Sequence, residues 1–457
     1  MSRLTLLGPN AKPLHGWPVD LDDLVSGNCL AAGDVDGDGR SEIVAVDVHG
    51  RVHVLTADGK KLDGYPVTPP ETGVPMRPPI VSDLDGDGAA EIAFAYARVP
   101  MVNLTDGMVV ISAGKVRTGW PLKLEGSPMS NLLPMDADKD GKPELLAVGT
   151  DGRLRAYGLD GRMKPSPNVD LGKGLYTLLQ ADMGGDDITL LAISCGDGPG
   201  DIRAMNPAGR ILSWPARTRE KRWGAAALMP WKGKFALVIA DIRDSRIKAL
   251  DGAGTEIASA AFDGGTEGVP FGYGVIQRGT DGIELVVGFE NGGYEDPDWD
   301  YHFERLATPL MRKMDRIDLK ILEERYPAAL RARDPKSREA YLRDRREFRH
   351  DSLIEYMPDV VPVIVASKKN VTARVIAFEG KSAKRETAWR IEDATVRLRE
   401  FWHQDVYPAA AVEGDNIVIA IGTREGAVMV KILKATGAPR VFWGGPMGGP
   451  SNVPIAK

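Results

Sequence analysis

Histidine, cysteine and long apolar runs are scarce in this chain, and each scarcity closes off a class of function. The 6 histidines are scattered. His49 and His53, four apart across a turn, make a poor metal pair. There is no His-Glu-x-x-His, no Gly-x-Ser-x-Gly and no phosphate-binding glycine loop, so no catalytic constellation stands out. The 2 cysteines, Cys29 and Cys195, fall on apolar runs of different repeats, a pattern of buried thiols rather than a disulfide. No apolar run approaches the roughly 18 residues of a membrane span. The opening Met1-Ser2-Arg3-Leu4-Thr5-Leu6-Leu7 has too short an apolar region for a secretory signal, which points to a cytosolic protein or a trimmed mature form. A net charge of −6 gives no general affinity for nucleic acid.

What the chain does have is turns and alternating apolar stretches. It carries 52 glycines and 32 prolines, and its 43% hydrophobic content supports a real core. Its organising stretch is Asp34-Val35-Asp36-Gly37-Asp38-Gly39-Arg40-Ser41-Glu42, followed by the β-type run Ile43–Val46. The pattern recurs at Asp83-Leu84-Asp85-Gly86-Asp87-Gly88-Ala89-Ala90-Glu91 and at Asp136-Ala137-Asp138-Lys139-Asp140-Gly141-Lys142-Pro143-Glu144. Three carboxylates at alternate positions and a fourth at position nine make a cage of hard oxygens, suited to Ca²⁺ with its six to eight oxygen ligands. An EF-hand would need Glu at position twelve and flanking helices. Position twelve is Ala45, Phe94 or Ala147, so each loop is expected to join two strands.

The loops begin at 34, 83 and 136, intervals of 49 and 53 residues, and a period near 50 means a propeller or solenoid. Each unit reads as strand, metal loop, strand, Gly turn, strand, Asp-Gly turn, strand. The closing phrases Gly16-Trp17-Pro18, Gly64-Tyr65-Pro66, Gly119-Trp120-Pro121 and Ser213-Trp214-Pro215 suit an outer edge, where a proline's missing N–H costs nothing. Later units keep the strands and lose the metal loop; Asp182–Asp186 is its decayed remnant. The expected fold is an all-β propeller of four-stranded antiparallel blades, a single domain over 1–457. Seven units are complete. The two chain ends read as halves of an eighth composite blade, with a seven-bladed ring as the alternative. In the sixth unit, Val361–Ala366 reads as the strand that resumes the blade after an insertion over 292–358. That insertion has helical spacing at Leu310, Met314, Ile317 and Ile321 and again from Ser337 to Tyr356, with a basic run between Arg331 and Arg349.

The sequence resembles the FG-GAP/VCBS family of β-propellers, the repeat class of the integrin α-subunit head. The likeness rests on Asp-x-Asp-Gly-Asp-Gly-x-x-Glu at 34–42 and 83–91, and on Asp-x-Asp-x-Asp-Gly-x-x-Glu at 136–144. The resemblance implies three Ca²⁺ sites, bound by side chains at positions one, three, five and nine and by the carbonyl at position seven. Those are Asp34, Asp36, Asp38 and Glu42 with Arg40; Asp83, Asp85, Asp87 and Glu91 with Ala89; and Asp136, Asp138, Asp140 and Glu144 with Lys142. The family's Phe-Gly and Gly-Ala-Pro phrases are replaced here by Gly-Trp-Pro types.

The functional expectation is a non-catalytic, calcium-stabilised binding or scaffold propeller. Its metal loops join first to second strands on one face, and the insertion, between second and third strands, emerges on the opposite face as the docking element for a protein partner. No nucleic acid and no membrane span is expected. Loops of this type often need high Ca²⁺, which favours an extracellular or periplasmic setting. The alternative is a carbohydrate-binding or polysaccharide-cleaving lyase-type propeller, working on an acidic glycan with basic and aromatic residues of one face.

Overall fold

The structure is a computed structural model. It describes residues 2–443 apart from 98–105, 125–129, 184–189, 196–201, 213–222, 242–244, 263–268, 280–282, 292–363, 393–395, 400–408, 423–427 and isolated positions 9, 11, 24, 72, 76, 207–208, 368–369 and 380–381. The expected helices of the insertion lie outside the described residues. No helix among the described residues is long and apolar enough to cross a membrane.

Seven antiparallel blades of the four-stranded type form a propeller ring. The first consists of Val25–Gly33, Glu42–Asp47 and Val52–Leu55, with Val67 bridging Val52 at its outer edge. The second has Ile80–Ser82, Glu91–Ala97, Gly107–Ser112 and Leu122–Lys123. The third has Leu133–Met135, Glu144–Val148, Arg153–Tyr157 and Met163–Asp170. The fourth runs from Leu175–Gln180 to Ile211–Leu212, and the fifth from Trp223–Trp231 to Glu256–Ala261. In the sixth, Glu284–Asn291 pairs with Asn370–Glu379, so the insertion joins its second and third strands. The seventh comprises Ala409–Glu413, Asn416–Gly422 and Val428–Lys434.

Two strands go elsewhere than the sequence suggests. Ile364–Ser367 is not a blade strand; it pairs with Val396–Arg399 in a separate two-stranded sheet. Arg440–Trp443, which follows the seventh unit and reads from the sequence as its fourth strand, pairs instead with Val269–Gln277 of the sixth. At the N-terminus, Ser2–Leu4 pairs with Val19–Leu21 in a two-stranded sheet of its own, where the sequence reading expects the second half of a composite blade. The partner half expected from the C-terminal residues lies outside the described residues.

Period-two alternation sorts the core. Strand Glu91–Ala97 is buried along its whole length because its two faces serve different interfaces. Ile92, Phe94 and Tyr96 pack with Val44, Val46, Val52 and Val54 of the first blade. Ala93 and Ala95 pack with Leu132, Leu145 and Ala147 toward the third. Leu146 and Val148 then turn to the fourth blade, meeting Tyr176, Leu178 and Leu190. The core is therefore a series of sheet-to-sheet seams, and Asn131 ties one of them by backbone mimicry. Its Nδ2–H donates to the Leu178 carbonyl at 3.1 Å and its Oδ1 accepts the Leu178 N–H at 2.8 Å.

The closing phrases act at the rim. Trp120 Nε1 donates to the carbonyl of Leu159, in the next blade, at 2.9 Å, and a Cβ on Gly119 would stand 2.2 Å from the Asp160 oxygen. Trp17 repeats this on the Ala57 carbonyl, also at 2.9 Å, with Gly16 seated on Asp58. Gly64 rests on Gly114 in the same sense. Each phrase thus clasps the Asp-Gly-type hairpin of the following blade. The third blade makes its clasp with Pro167, which sits on Gly209 without a Gly-Trp phrase; Ser213-Trp214-Pro215 lies outside the described residues.

Candidate metal centre

Each acidic loop joins the first strand of its blade to the second, and the strand that follows sinks the position-nine glutamate into the blade. Glu42, Glu91 and Glu144 are 3%, 1% and 1% exposed, and burial at that depth demands partners. In every loop the glutamate Oε2 accepts the N–H of position two. The distances are 2.8 Å from Val35, 2.8 Å from Leu84 and 2.9 Å from Ala137. This cross-loop bond folds the chain back on itself.

The position-one aspartate shapes the turn. Asp34 accepts the N–H groups of Gly37 and Gly39, each at 2.8 Å, and Asp83 those of Gly86 and Gly88 at 2.6 and 3.0 Å. The glycines answer a backbone demand, with φ of 76° at Gly37 and 82° at Gly86. The third loop puts Lys139 at that position, with φ 63°, in the left-handed region disfavoured for an L side chain. Lys139→Gly is therefore expected to stabilise the protein by up to about 1 kcal/mol in urea denaturation, the relief of strain being offset in part by glycine's greater freedom when unfolded.

The result is a convergence of oxygens. Asp34, Asp36 and Glu42 each bring one carboxylate oxygen within 4.8 Å of the others, as do Asp83, Asp85 and Glu91, and Asp136, Asp138 and Glu144. Oxygens on opposite sides of a Ca²⁺ ion stand about 4.6–5.2 Å apart, so the residues fit such an ion. The position-five aspartates stand outside these trios. Asp38, Asp87 and Asp140 each use Oδ1 to accept the N–H of position seven, at 2.8 Å from Arg40, 2.9 Å from Ala89 and 2.8 Å from Lys142. That bond leaves the second carboxylate oxygen of each for a ligand role. The first two cages also touch, since the Ala90 N–H donates to the Asp34 carbonyl at 2.7 Å. Pro143 holds the corresponding place in the third loop and has no N–H to give.

Electrostatics separates the cages. Burial, aided by the charges of Asp36, Asp38 and Asp34, raises the Glu42 pKa against the pull of the Val35 N–H. Burial likewise raises that of Glu91, with Asp85 reinforcing and Leu84, Ser112 and Arg117 opposing. Crowded carboxylates of this kind favour a cation among them. Two of the cages have a basic side chain at hand. Arg117 Nη1 lies 2.6 Å from Asp85 Oδ2 and 3.3 Å from Glu91 Oε1. Lys164 Nζ lies 2.9 Å from Asp138 Oδ2, 3.2 Å from Glu144 Oε1 and 3.7 Å from Asp140 Oδ2. Its hydrogen bond lowers the Asp138 pKa, and Asp138 and Glu144 together raise that of Lys164. The loop motif says nothing of these two cations. Aligning the hairpins would have found them, since Leu62, Arg117 and Lys164 hold one register position in successive blades.

His49 and His53 pair with carboxylates of their own. His53 Nε2 lies 3.0 Å from Asp47 Oδ2, with both side chains buried, and His49 Nε2 lies 3.8 Å from Asp23. Among the described residues, neither belongs to a group able to hold a metal.

No curated protein sequence matches the chain. Solved structures do resemble it. A BBS1N chain from a complex with ARL6DN, soaked with mercury, shares 11% identity at a TM-score of 0.44, over 95% of this chain and 98% of that one. BamB from Moraxella catarrhalis shares 16% identity at a TM-score of 0.34, over 60% and 82% respectively. Residues 34–94, which run from the first cage through the second, match the family model of the FG-GAP-like repeat.

Proposed function

We propose that the protein is a non-catalytic binding or scaffold propeller whose first three blades are stabilised by Ca²⁺. The observation that supports the metal reading is the same at all three corners: carboxylates at positions one, three and nine converge on one point from a loop pinned by its own backbone. Asp34, Asp36 and Glu42 would hold the first ion, Asp83, Asp85 and Glu91 the second, and Asp136, Asp138 and Glu144 the third. Asp38, Asp87 and Asp140 would add their remaining oxygens, and the carbonyls of Arg40, Ala89 and Lys142 would complete the sets. An ion so enclosed by protein oxygens has no open position for a substrate, which makes its role structural. The calcium demand of such loops favours an extracellular or periplasmic setting.

The binding role falls to the insertion, residues 292–358, which leaves the sixth blade between its second and third strands. The four strand junctions of a blade alternate between faces, so this segment departs on the face opposite the cages. Between Arg331 and Arg349 it carries 8 Lys or Arg against 4 Asp or Glu, a surface for an acidic protein partner. Deleting residues 300–356 should abolish co-purification of that partner while the ring keeps its thermal midpoint. Retention of the partner by the deleted protein would end the docking reading.

A further inference from the structure

The three cages share a motif but differ in what stands beside them. Leu55, Ile111 and Tyr157, each opposite the residue that follows the position-nine glutamate, pair on their other side with Lys61, Val116 and Met163. The next residue is Leu62 in the first blade, Arg117 in the second and Lys164 in the third. Leu62 packs against the apolar seam between the first two blades. Arg117 and Lys164 instead place a positive charge against the carboxylates that would bind the ion. Among the described residues, no ion pair reaches Asp34, Asp36, Asp38 or Glu42.

We propose that the cages are graded: the first needs a divalent ion to be complete, whereas Arg117 and Lys164 are built-in counter-ions that hold the second and third together without one. This rests on the metal reading above. A protein cation and a metal ion cannot share one set of oxygens without strong repulsion. An entering ion must therefore displace the side chain. Both side chains can leave, since each keeps 27% of its side-chain surface exposed to solvent. The first blade becomes the calcium-dependent one, and its neighbours keep their shape when calcium is low.

Calorimetric titration of the full chain with Ca²⁺ alone, with native mass spectrometry to count ions, tests this. One ion should bind at least about tenfold more tightly than the other two, the effect of a like charge removed from beside the site. Arg117→Leu and Lys164→Leu, each copying the first blade's residue, should each move one site from the weak class to the tight class. Leu62→Lys should weaken the first site by a similar factor. The two leucine variants lie in different blades, so either one that folds carries the test. Three equivalent sites in the parent chain, or affinities unchanged in the leucine variants, would overturn the grading and leave the metal reading standing. No binding at any cage, in the parent or the variants, would overturn both.

Discussion

Adding Ca²⁺ to chelator-treated protein should raise its unfolding free energy by about 2.7 kcal/mol for each cage held at a hundredfold over its dissociation constant, because the ion binds the folded loop and not the open chain. The sign follows from the cage chemistry. In the first loop, Asp34, Asp36, Asp38 and Glu42 repel one another, and the raised Glu42 pKa shows that the buried glutamate bears that repulsion together with its desolvation. A divalent ion removes both costs. Glu42→Gln sharpens the test, since its amide oxygen can still accept the Val35 N–H that the carboxylate accepts now. The variant should fold, lose most of the first ion's stabilisation, and show a smaller rise in thermal midpoint across the same titration. A midpoint unmoved by Ca²⁺ in the parent protein would show the cages to be acidic turns only.

Phe94→Ala should cost about 3–5 kcal/mol, as large-to-small changes at buried aromatic positions do. Phe94 is 1% exposed and lies in the seam between the first and second blades, its ring centroid 6.1 Å from that of Tyr96. The cavity would open between two sheets held by well-paired strands, which leaves little room for collapse. It would also open in the seam that holds Val35, position two of the first loop, so calcium affinity at that first loop should weaken along with stability in urea. A loss below about 0.5 kcal/mol, the level of an ordinary surface change, would mean that the seam is not packed as described.

Much of this was legible in the chain because the information was local. Loop spacing, alternating apolar runs and Asp-Gly turns all act over a few residues, and they yield the strand-loop-strand corners and the blade architecture. Asn291 and Asn370 pair directly, so the chain between them connects two neighbouring strands of the sixth blade. What escaped was decided by partners distant in sequence. Ile364–Ser367 has the apolar content of a blade strand, yet its partner is Val396–Arg399. Arg440–Trp443 follows the seventh unit and joins the sixth, a choice made by tertiary pairing rather than propensity. Arg117 and Lys164 look like ordinary basic residues of a hairpin until the register across three blades puts them beside a cage. Pro167 clasps its neighbour without the Gly-Trp phrase that marks the other clasps, because what the clasp needs is a flat surface against a glycine.

That clasp has a consequence for how the wheel comes apart. From the N-terminal segment through the third blade, each unit overlaps the next like a roof tile, so lifting one exposes the tail of its predecessor as well as its own. Trp17 lies under no earlier tile among the described residues, yet it covers the first blade as Trp120 covers the third. Loss of the N-terminal twenty residues would therefore uncover the hairpin at Asp58 and Gly59 first, leaving the acidic corner of that blade on the least sheltered edge of the series.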